Sequence, residues 1–392
     1  MKIRYMLLHA YGMGGTIRTV VNQANAMAEA GHDVEIVSTV RRRTSPQFEI
    51  DKRVKVWALV DQREGVSADS LARRMWRRAR GKIVPYGEFA AHYFTERVEA
   101  AVMEYVASVD DGILVTTRPA LNLISARRGS GKAIRVAQEH MNLASYHPAV
   151  REQISRHYGA FDAIAVLTET SRAEYRAIYD DTPIVRIPNA VAMEHRKHSD
   201  QSNPVIVAAG RLVPQKGYDM LISAFATIAE AHPEWTVRIF GTGPSQEKLQ
   251  ARIDTAEMNG RVTLMGRSDR IHEELTDASI YALSSRMEGL PMAMIEAMGH
   301  ALPVVAFDCP TGPADLITQG RNGVLVPPRD VEAFGAELSR LIGDVELRRR
   351  LGAAAAETAR EYTPETVMPL WEGLFTALSN RAPIARDYGA AH

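Results

Sequence analysis

The stretch 284–317, SSRMEGLPMAMIEAMGHALPVVAFDCPTGPADLI, decides how the second half of the chain folds. Glu288 and Glu296 stand in it with seven residues between them. Gly289-Leu290-Pro291 makes a turn that opens a helix, and Pro suits the first helical position because its missing N–H would be unpaired there. The helix is predicted to run to about Gly299, with a strand over 302–307 directly behind it. One carboxylate therefore precedes a helix N-terminus and the other lies inside the helix. The N–H groups at such an N-terminus attract anions. A phosphorylated ligand laid across the turn would meet N–H donors for its phosphates and carboxylates for its hydroxyls. Taken alone, the pair reads more readily as a surface turn with two solvated glutamates, so the rest of the chain has to decide.

At 392 residues the chain is long enough for two domains. It is 46% hydrophobic and 24% charged with a formal net charge of zero, which argues against a nucleic-acid partner. The balance is uneven: residues 1–190 hold 27 Lys/Arg against 21 Asp/Glu, and residues 191–392 hold 20 against 26. A single cysteine, Cys309, rules out an internal disulfide framework and suits a reducing compartment. The start, MKIRYMLLHAYGMGG, reads as a first strand rather than a signal peptide. No apolar run is long enough to span a membrane.

In the first half, a strand over 2–8 leads into the loop Tyr11-Gly12-Met13-Gly14-Gly15-Thr16. An amphipathic helix follows from about Ile17 to Ala30, stopped by Gly31, and then a strand over 33–40. That is a βαβ unit with parallel strands. Strand-like segments recur at 54–60, 113–116, 133–138, 162–167 and 184–187, the alternation of a doubly wound sheet. Ligands on such sheets sit at the carboxyl ends of strands. The glycine loop lacks the third glycine of a dinucleotide fingerprint, and Val40-Arg41-Arg42-Arg43 offers no acid for a ribose. Those arginines would suit a 2′-phosphate, which leaves an NADP-dependent oxidoreductase as an alternative. His140 follows the strand 133–138 and so stands where a site would lie, although a lone His there is more often a hydrogen-bonded loop residue. Residues 41–82 hold 13 Lys/Arg against 5 Asp/Glu. Their end, SADSLARRMWRRARGK at 67–82, reads as a basic helix. The region 63–82 would give peripheral contact with anionic lipid or bind an anionic acceptor; the alternative is a solvated basic face.

Polar residues 191–203 (VAMEHRKHSDQSN) mark a domain boundary. A new βαβ series starts with a strand over 204–209, the loop Gly210-Arg211-Leu212-Val213-Pro214-Gln215-Lys216-Gly217 and a helix from about Tyr218. Arg211 and Lys216 then lie between a strand end and a helix N-terminus, which is a diphosphate site in chemical terms. Strands at 235–240, 261–265, 278–283, 302–307 and 323–326 continue the alternation. Residues 330–361 are helical and charged, and Thr363-Pro364 starts a last helix with Leu370, Trp371, Leu374 and Phe375 on one stripe. The tail from Asn380 is expected to be disordered.

Together, Gly210-Arg211-Leu212, Lys216-Gly217, Glu288-Gly289-Leu290-Pro291, Glu296-Ala297-Met298, Leu302-Pro303-Val304-Val305 and Asn322-Gly323 resemble the retaining glycosyltransferases of family 4. The likeness covers the C-terminal half strongly and the N-terminal half at Gly14-Gly15, His140 and Pro188-Asn189. It implies the α/β GT-B architecture, two doubly wound Rossmann-like domains facing across a cleft. The expected domains are 1–190, which would bind the acceptor and be joined by the C-terminal helix at about 364–392, and 191–363, which would bind the nucleotide sugar. The donor would be a nucleotide-diphosphate sugar, UDP being the expected nucleotide, and the acceptor a hydroxyl.

The resemblance also implies roles. Arg211 and Lys216 would hold the diphosphate, Glu296 the ribose hydroxyls and Glu288 the donor sugar. Gly289, Leu290, Pro291 and Met292 would meet the phosphates or sugar; Gly14 and Gly15 would approach the donor phosphate; Gly243 and Arg267 would border the base. His140 would come from the opposite domain, near the reacting sugar, so that His140, Arg211, Lys216 and Glu288 form the catalytic set. No cofactor and no metal would be required. The variant Asp308-Cys309-Pro310-Thr311-Gly312-Pro313 looks like a subgroup acting on cell-envelope polymers and lipid-linked or secondary-metabolite acceptors. Other chemistry on the same architecture (an epimerase or phosphorylase) and a non-catalytic sugar-binding module are the remaining alternatives. The expected location is cytoplasmic, with peripheral contact at the inner face of a membrane.

Overall fold

The computed structural model describes residues 1–63, 83–193 and 197–390. The basic helix expected at 67–82 lies outside the described residues, as does nearly all of region 63–82. The chain divides into two compact units, Met1–Ala190 with the segment from Val367 onward, and Val191–Thr366.

Unit 1 is a seven-stranded sheet of β1 (Lys2–Leu7), β2 (Asp33–Arg41), β3 (Lys55–Asp61), β4 (Ile113–Thr117), β5 (Ile134–Gln138), β6 (Ala163–Val166) and β7 (Ile184–Arg186). Its order is β3-β2-β1-β4-β5-β6-β7, parallel throughout. Successive side chains on a strand point to opposite faces, so a sheet covered on both sides needs apolar residues at every position. In β1, Ile3, Tyr5 and Leu7 enter one core and Met6 the other. α1 (Gly15–Glu29) and α13 (Pro364–Ser379) cover the first face; α2 (Glu96–Ser108), α3 (Pro119–Arg128) and α4 (Pro148–His157) cover the second. α5 is Glu169–Arg176. The stripe on α13 buries Trp371, Leu374 and Phe375 completely. Their burial removes large apolar areas from water, so Trp371 alone contributes several kcal/mol.

The tail is not the disordered segment expected. Its backbone accepts from Arg186, whose N–H donates to Tyr388 O at 3.2 Å and whose Nη1 donates to Gly389 O at 3.0 Å. The Tyr388 hydroxyl donates to Leu370 O. Gly389 has φ of 73°, and a Cβ there would lie 1.7 Å from Arg186 O. Polar composition made the tail look solvated; the Arg186 contacts that help order it lie just over two hundred residues away in sequence.

Unit 2 has β8 (Val205–Ala209), β9 (Thr236–Phe240), β10 (Val262–Gly266), β11 (Ile280–Leu283), β12 (Val304–Phe307) and β13 (Val324–Val326). The order is β10-β9-β8-β11-β12-β13, again parallel. Its helices are α6 (Tyr218–Ile228), α7 (Gln246–Thr255), α8 (Ile271–Asp277), α9 (Met292–Gly299), the single turn α10 (Pro313–Leu316), α11 (Val331–Gly343) and α12 (Val345–Ala359). The helical stretch 330–361 is two helices because the Asp344 carboxylate accepts from Leu347 N and starts a second one. Residues 199–201 of the boundary segment are packed: Ser199 N donates to His300 O at 2.8 Å and Gln201 Nε2 to Ala301 O at 2.8 Å. Among the described residues no helix is long and apolar enough to cross a membrane.

Both sheets are doubly wound. In each, the chain adds strands on one side of its first strand and then returns to the other side. That reversal falls between β1 and β4 in unit 1 and between β8 and β11 in unit 2. The loops leaving these strands diverge there and open a crevice at the carboxyl ends.

Candidate functional site

In unit 2 the crevice between β8 and β11 gathers residues from two distant loops. Gly217 adopts φ of 64° and caps α6; a Cβ there would sit 2.0 Å from Ser284 O. Only glycine lets the two loops approach so closely. Polar bonds then fasten them: Ser284 Oγ donates to Lys216 O at 3.0 Å, and Gln215 Nε2 to Met287 O at 2.9 Å. Arg286 closes a two-pronged pair with Asp219 at 2.9 and 2.6 Å. Gly241 and Gly243 allow a second close approach, since Cβ atoms there would lie 1.9 Å from Gly210 O and 2.3 Å from Leu212 O.

This frame holds Lys216 Nζ 2.7 Å from Glu288 Oε1. The Ser285 hydroxyl donates to the same oxygen. Glu288 is 5% exposed, so it is no solvated surface acid. Its backbone is strapped as well, Glu288 N to Pro310 O at 3.1 Å and Thr311 N to Glu288 O at 3.3 Å. Lys216 is thus already paired, whereas the exposed guanidinium of Arg211 has no partner among the described residues. Pro291 is the residue before the helix rather than its first member, and α9 begins at Met292. No side chain caps that end. The N–H groups of Met292 and Ala293 at the start of the helix have no helical acceptor, whereas Met294 N already donates to Pro291 O at 2.9 Å. Leu290 is buried beside them, and Gly289 O lies 2.3 Å from where a Cβ of Gly312 would be, so a second glycine permits this turn.

Glu296 is half-buried on α9. Burial pushes the Tyr281 hydroxyl well above its ordinary range, and the charges of both Glu288 and Glu296 push the same way, so Tyr281 lies within electrostatic reach of both carboxylates. Burial also pushes the neighbouring Cys309 thiol up to about 12, with Glu288 adding to it, which makes it unreactive. Arg267 is exposed and its ion partner is Asp269 at 3.4 Å.

In unit 1 the crevice between β1 and β4 is a cavity of about 240 Å³. Gly14, Gly15 and His140 all line it, so the structure gathers the three unit 1 residues singled out by sequence. α1 starts at Gly15 without a side-chain cap, and a Cβ at Gly15 would meet nothing within 4 Å. Both ring nitrogens of His140 are buried and lack partners among the described residues. Burial, with Arg118 adding, holds the His140 pKa down at about 4, so the ring is neutral at pH 7. The preceding carboxyl, Glu139, is buried and accepts from Tyr158 at 2.6 Å, from Asn122 at 2.8 Å and from Tyr146. It ties the turn that carries His140 to α3 and to the chain on either side of α4. Burial pushes its pKa up to about 7 against those three hydrogen bonds.

Sequence reasoning missed two cavity residues. Arg118 donates from Nε to Glu88 Oε1 at 2.9 Å, with Nη2 at 2.8 Å from the same oxygen. Arg118 has φ of 82° and ψ of 151°, a region reserved almost wholly for glycine and costing about 1–3 kcal/mol. The available signal was its place before Pro119 at the end of β4.

Residues 192–358, nearly all of unit 2, match the family described as glycosyl transferases group 1. The chain is 34% identical to an exopolysaccharide phosphotransferase of Streptomyces coelicolor, over 97% of this chain but 41% of that protein. It is 25% identical to an uncharacterized glycosyltransferase of Haemophilus influenzae, over 95% of this chain and 99% of that one. Among solved structures it is similar to a mutant of S. aureus TarM in complex with fondaparinux, α-GlcNAc-glycerol and UDP. That likeness has a TM-score of 0.75 and 17% identity, covering 95% of this chain and 99% of the other. The chain therefore has the GT-B fold, its residues 192–358 match the glycosyl transferases group 1 family, and it spans less than half the length of the first of these relatives.

Proposed function

We propose that the chain is a family 4, retaining glycosyltransferase that moves a sugar from a nucleotide-diphosphate sugar, with UDP as the nucleotide, to a hydroxyl acceptor of the cell-envelope polymer kind. The carrying observation is the pairing of Lys216 with the buried Glu288 at the strand reversal of unit 2, framed by the α9 N-terminus. The difficult event is departure of a nucleoside diphosphate from the anomeric carbon. Positive charge must meet the negative charge that builds there. Lys216, Arg211 and the first-turn N–H groups of α9 supply it, while Glu296 takes the ribose hydroxyls and Glu288 the donor sugar. Gly243 and Arg267 border the base in this reading, and Gly14 and Gly15 approach the donor phosphate. The relatives support the acceptor class by their names, and the UDP-bound structural neighbour supports the nucleotide.

Retention in glycosidases uses a carboxylate nucleophile. Glu288 is poorly suited to that, because Lys216 and Ser285 already hold its Oε1. A same-face displacement, in which the leaving phosphate takes the acceptor proton, needs no protein nucleophile. No metal is required when cations and N–H groups supply the charge, so activity should survive EDTA. The test is UDP release from a panel of UDP-sugars, in the presence and absence of acceptor polymers, with NMR of the product's anomeric configuration. An inverted product, or a glycosyl adduct trapped on a Glu288→Gln chain, would sink the mechanism. A cytoplasmic location with contact between region 63–82 and the inner face of a membrane belongs to the same proposal. Co-sedimentation with anionic vesicles tests it.

A further inference from the structure

The wall of the unit 1 cavity opposite the glycine loop has a composition that glycosyl transfer as such does not demand. Phe89 lines it and is 58% exposed. Beside it stand Tyr146, whose ring centroid is 6.4 Å from that of Phe89, and Met141. Glu88 and Arg118 form the polar part, with His140 on the same cavity. An exposed aromatic face bordering buried polar groups is a costly surface to leave in water.

The charges in this wall cancel. Glu88 is buried, its side chain 1% exposed, and Arg118 is its ion partner. Glu88 Oε2 accepts from Ala90 N, so the carboxylate is satisfied. Arg118 binds through Nε and Nη2, which leaves the Nη1 donors without an acceptor among the described residues. A guanidinium carries five N–H donors in all. The His140 ring offers one donor and one acceptor, both unmet. Burial holds the nearby His9 down too, with Arg42 and Arg43 adding, so His9 brings little charge. An anion in this wall would lie against the Glu88 carboxylate, and a cation would lie against Arg118. The α1 N-terminus draws anions to the other end of the cavity, the Gly14–Gly15 end. A neutral hydroxyl group, donor and acceptor at once, suits both Arg118 Nη1 and an imidazole nitrogen. The apolar C–H face of a sugar ring suits Phe89.

We propose that this wall is a subsite for an uncharged sugar ring of the acceptor, with Phe89 as its stacking platform and the Glu88–Arg118 pair and His140 as hydrogen-bonding partners of its hydroxyls. This rests on the glycosyltransferase reading above and narrows it. The acceptor's ring at this subsite is a neutral glycoside rather than a polyol phosphate or sugar phosphate. Phe89, Glu88 and Arg118 thereby set acceptor specificity.

The test is saturation-transfer NMR on the full chain saturated with UDP. The probes are methyl glycosides of glucose, galactose, mannose and N-acetylglucosamine, set against glucose 6-phosphate, ribitol 5-phosphate and glycerol 3-phosphate. At least one methyl glycoside should bind through its C–H face, and more tightly than any phosphate probe. Phe89→Ala should weaken it about tenfold, the loss of a stacking contact. Phe89 is exposed, so the variant folds, and an unchanged melting temperature checks that. Glu88→Gln keeps the shape but frees the Arg118 charge, and should turn the preference toward the phosphate probes. The inference is overturned if no methyl glycoside binds, if a phosphate probe binds the wild type more tightly, or if Phe89→Ala leaves glycoside binding unchanged. Thermal shift by UDP is read separately: no shift counts against the glycosyltransferase reading, whereas a shift with no glycoside signal counts against the subsite alone.

Discussion

The two strand reversals share one topology and differ in chemistry. At β8/β11 the loops bring a lysine onto a buried glutamate, with an arginine that has no partner among the described residues and an uncapped helix beyond it. At β1/β4 the loops enclose a cavity whose one ion pair is self-neutralised and whose two histidines are held toward neutrality by burial. One crevice presents charge, whereas the wall of the other that holds Phe89 presents a neutralised ion pair, a neutral imidazole and an apolar face. The sheet topology supplies the place, and the residues on the loops decide what can bind there.

The contrast can be broken most directly at Glu288. Glu288→Gln keeps the shape but leaves Lys216 without its counter-charge and the donor sugar without its carboxylate. We expect kcat for sugar transfer to fall about 10²–10³-fold, as measured by UDP release. A variant with near-normal turnover would show that the unit 2 crevice does not carry the reaction.

Next in size is Glu139, which orders the unit 1 crevice without lining it. Its carboxyl titrates at about 7 in the folded chain against 4.5 in the ordinary state. The folded chain therefore binds this proton more tightly, and stability must fall as pH rises between those values. Its contribution is full below about pH 4.5 and is lost through about pH 7. Glu139→Gln should flatten that slope in urea titrations and cost about 1–3 kcal/mol, because one acceptor oxygen becomes an NH2 group facing a donor. An unchanged slope would refute the assignment.

A smaller effect is expected from Arg211→Ala, which removes an exposed cation. UDP should bind about tenfold more weakly by calorimetry, the value of one charge-assisted contact, while the melting temperature stays put. Equal UDP affinity would take Arg211 out of the donor site. The smallest change is expected at Arg267, exposed and facing Asp269. Surface pairs of this kind contribute about 0–1 kcal/mol, so Arg267→Ala should raise the donor KM less than about threefold. A larger rise would make the base-binding border more selective than its exposure suggests.

Much of the fold was legible because it rests on local regularities. Apolar runs bounded by glycine and proline placed each strand to within about two residues. The order of glycines and cations around Gly210–Gly217 and Glu288–Pro291 marked the unit 2 loops. The misses share a cause. The tail looked solvated because its own residues are polar, yet Arg186 orders it through backbone carbonyls. The pairing of Lys216 with Glu288 was not legible because the two lie 72 positions apart. Glu88 and Arg118 drew no notice because neither belongs to a motif, and their pairing spans 30 positions.

The sequence by itself thus determined where strands and helices form, that each half is doubly wound, and which loops lie at the carboxyl ends. These follow from periodicity and from what glycine and proline permit over a few residues. Tertiary structure alone decided the state of the charges: that Glu288 is buried and held by Lys216, that His140 is neutral, and that Arg118 is cancelled by Glu88. Charge state depends on distance to other charges and on exclusion of water, and both are set by residues that meet only when the sheets close.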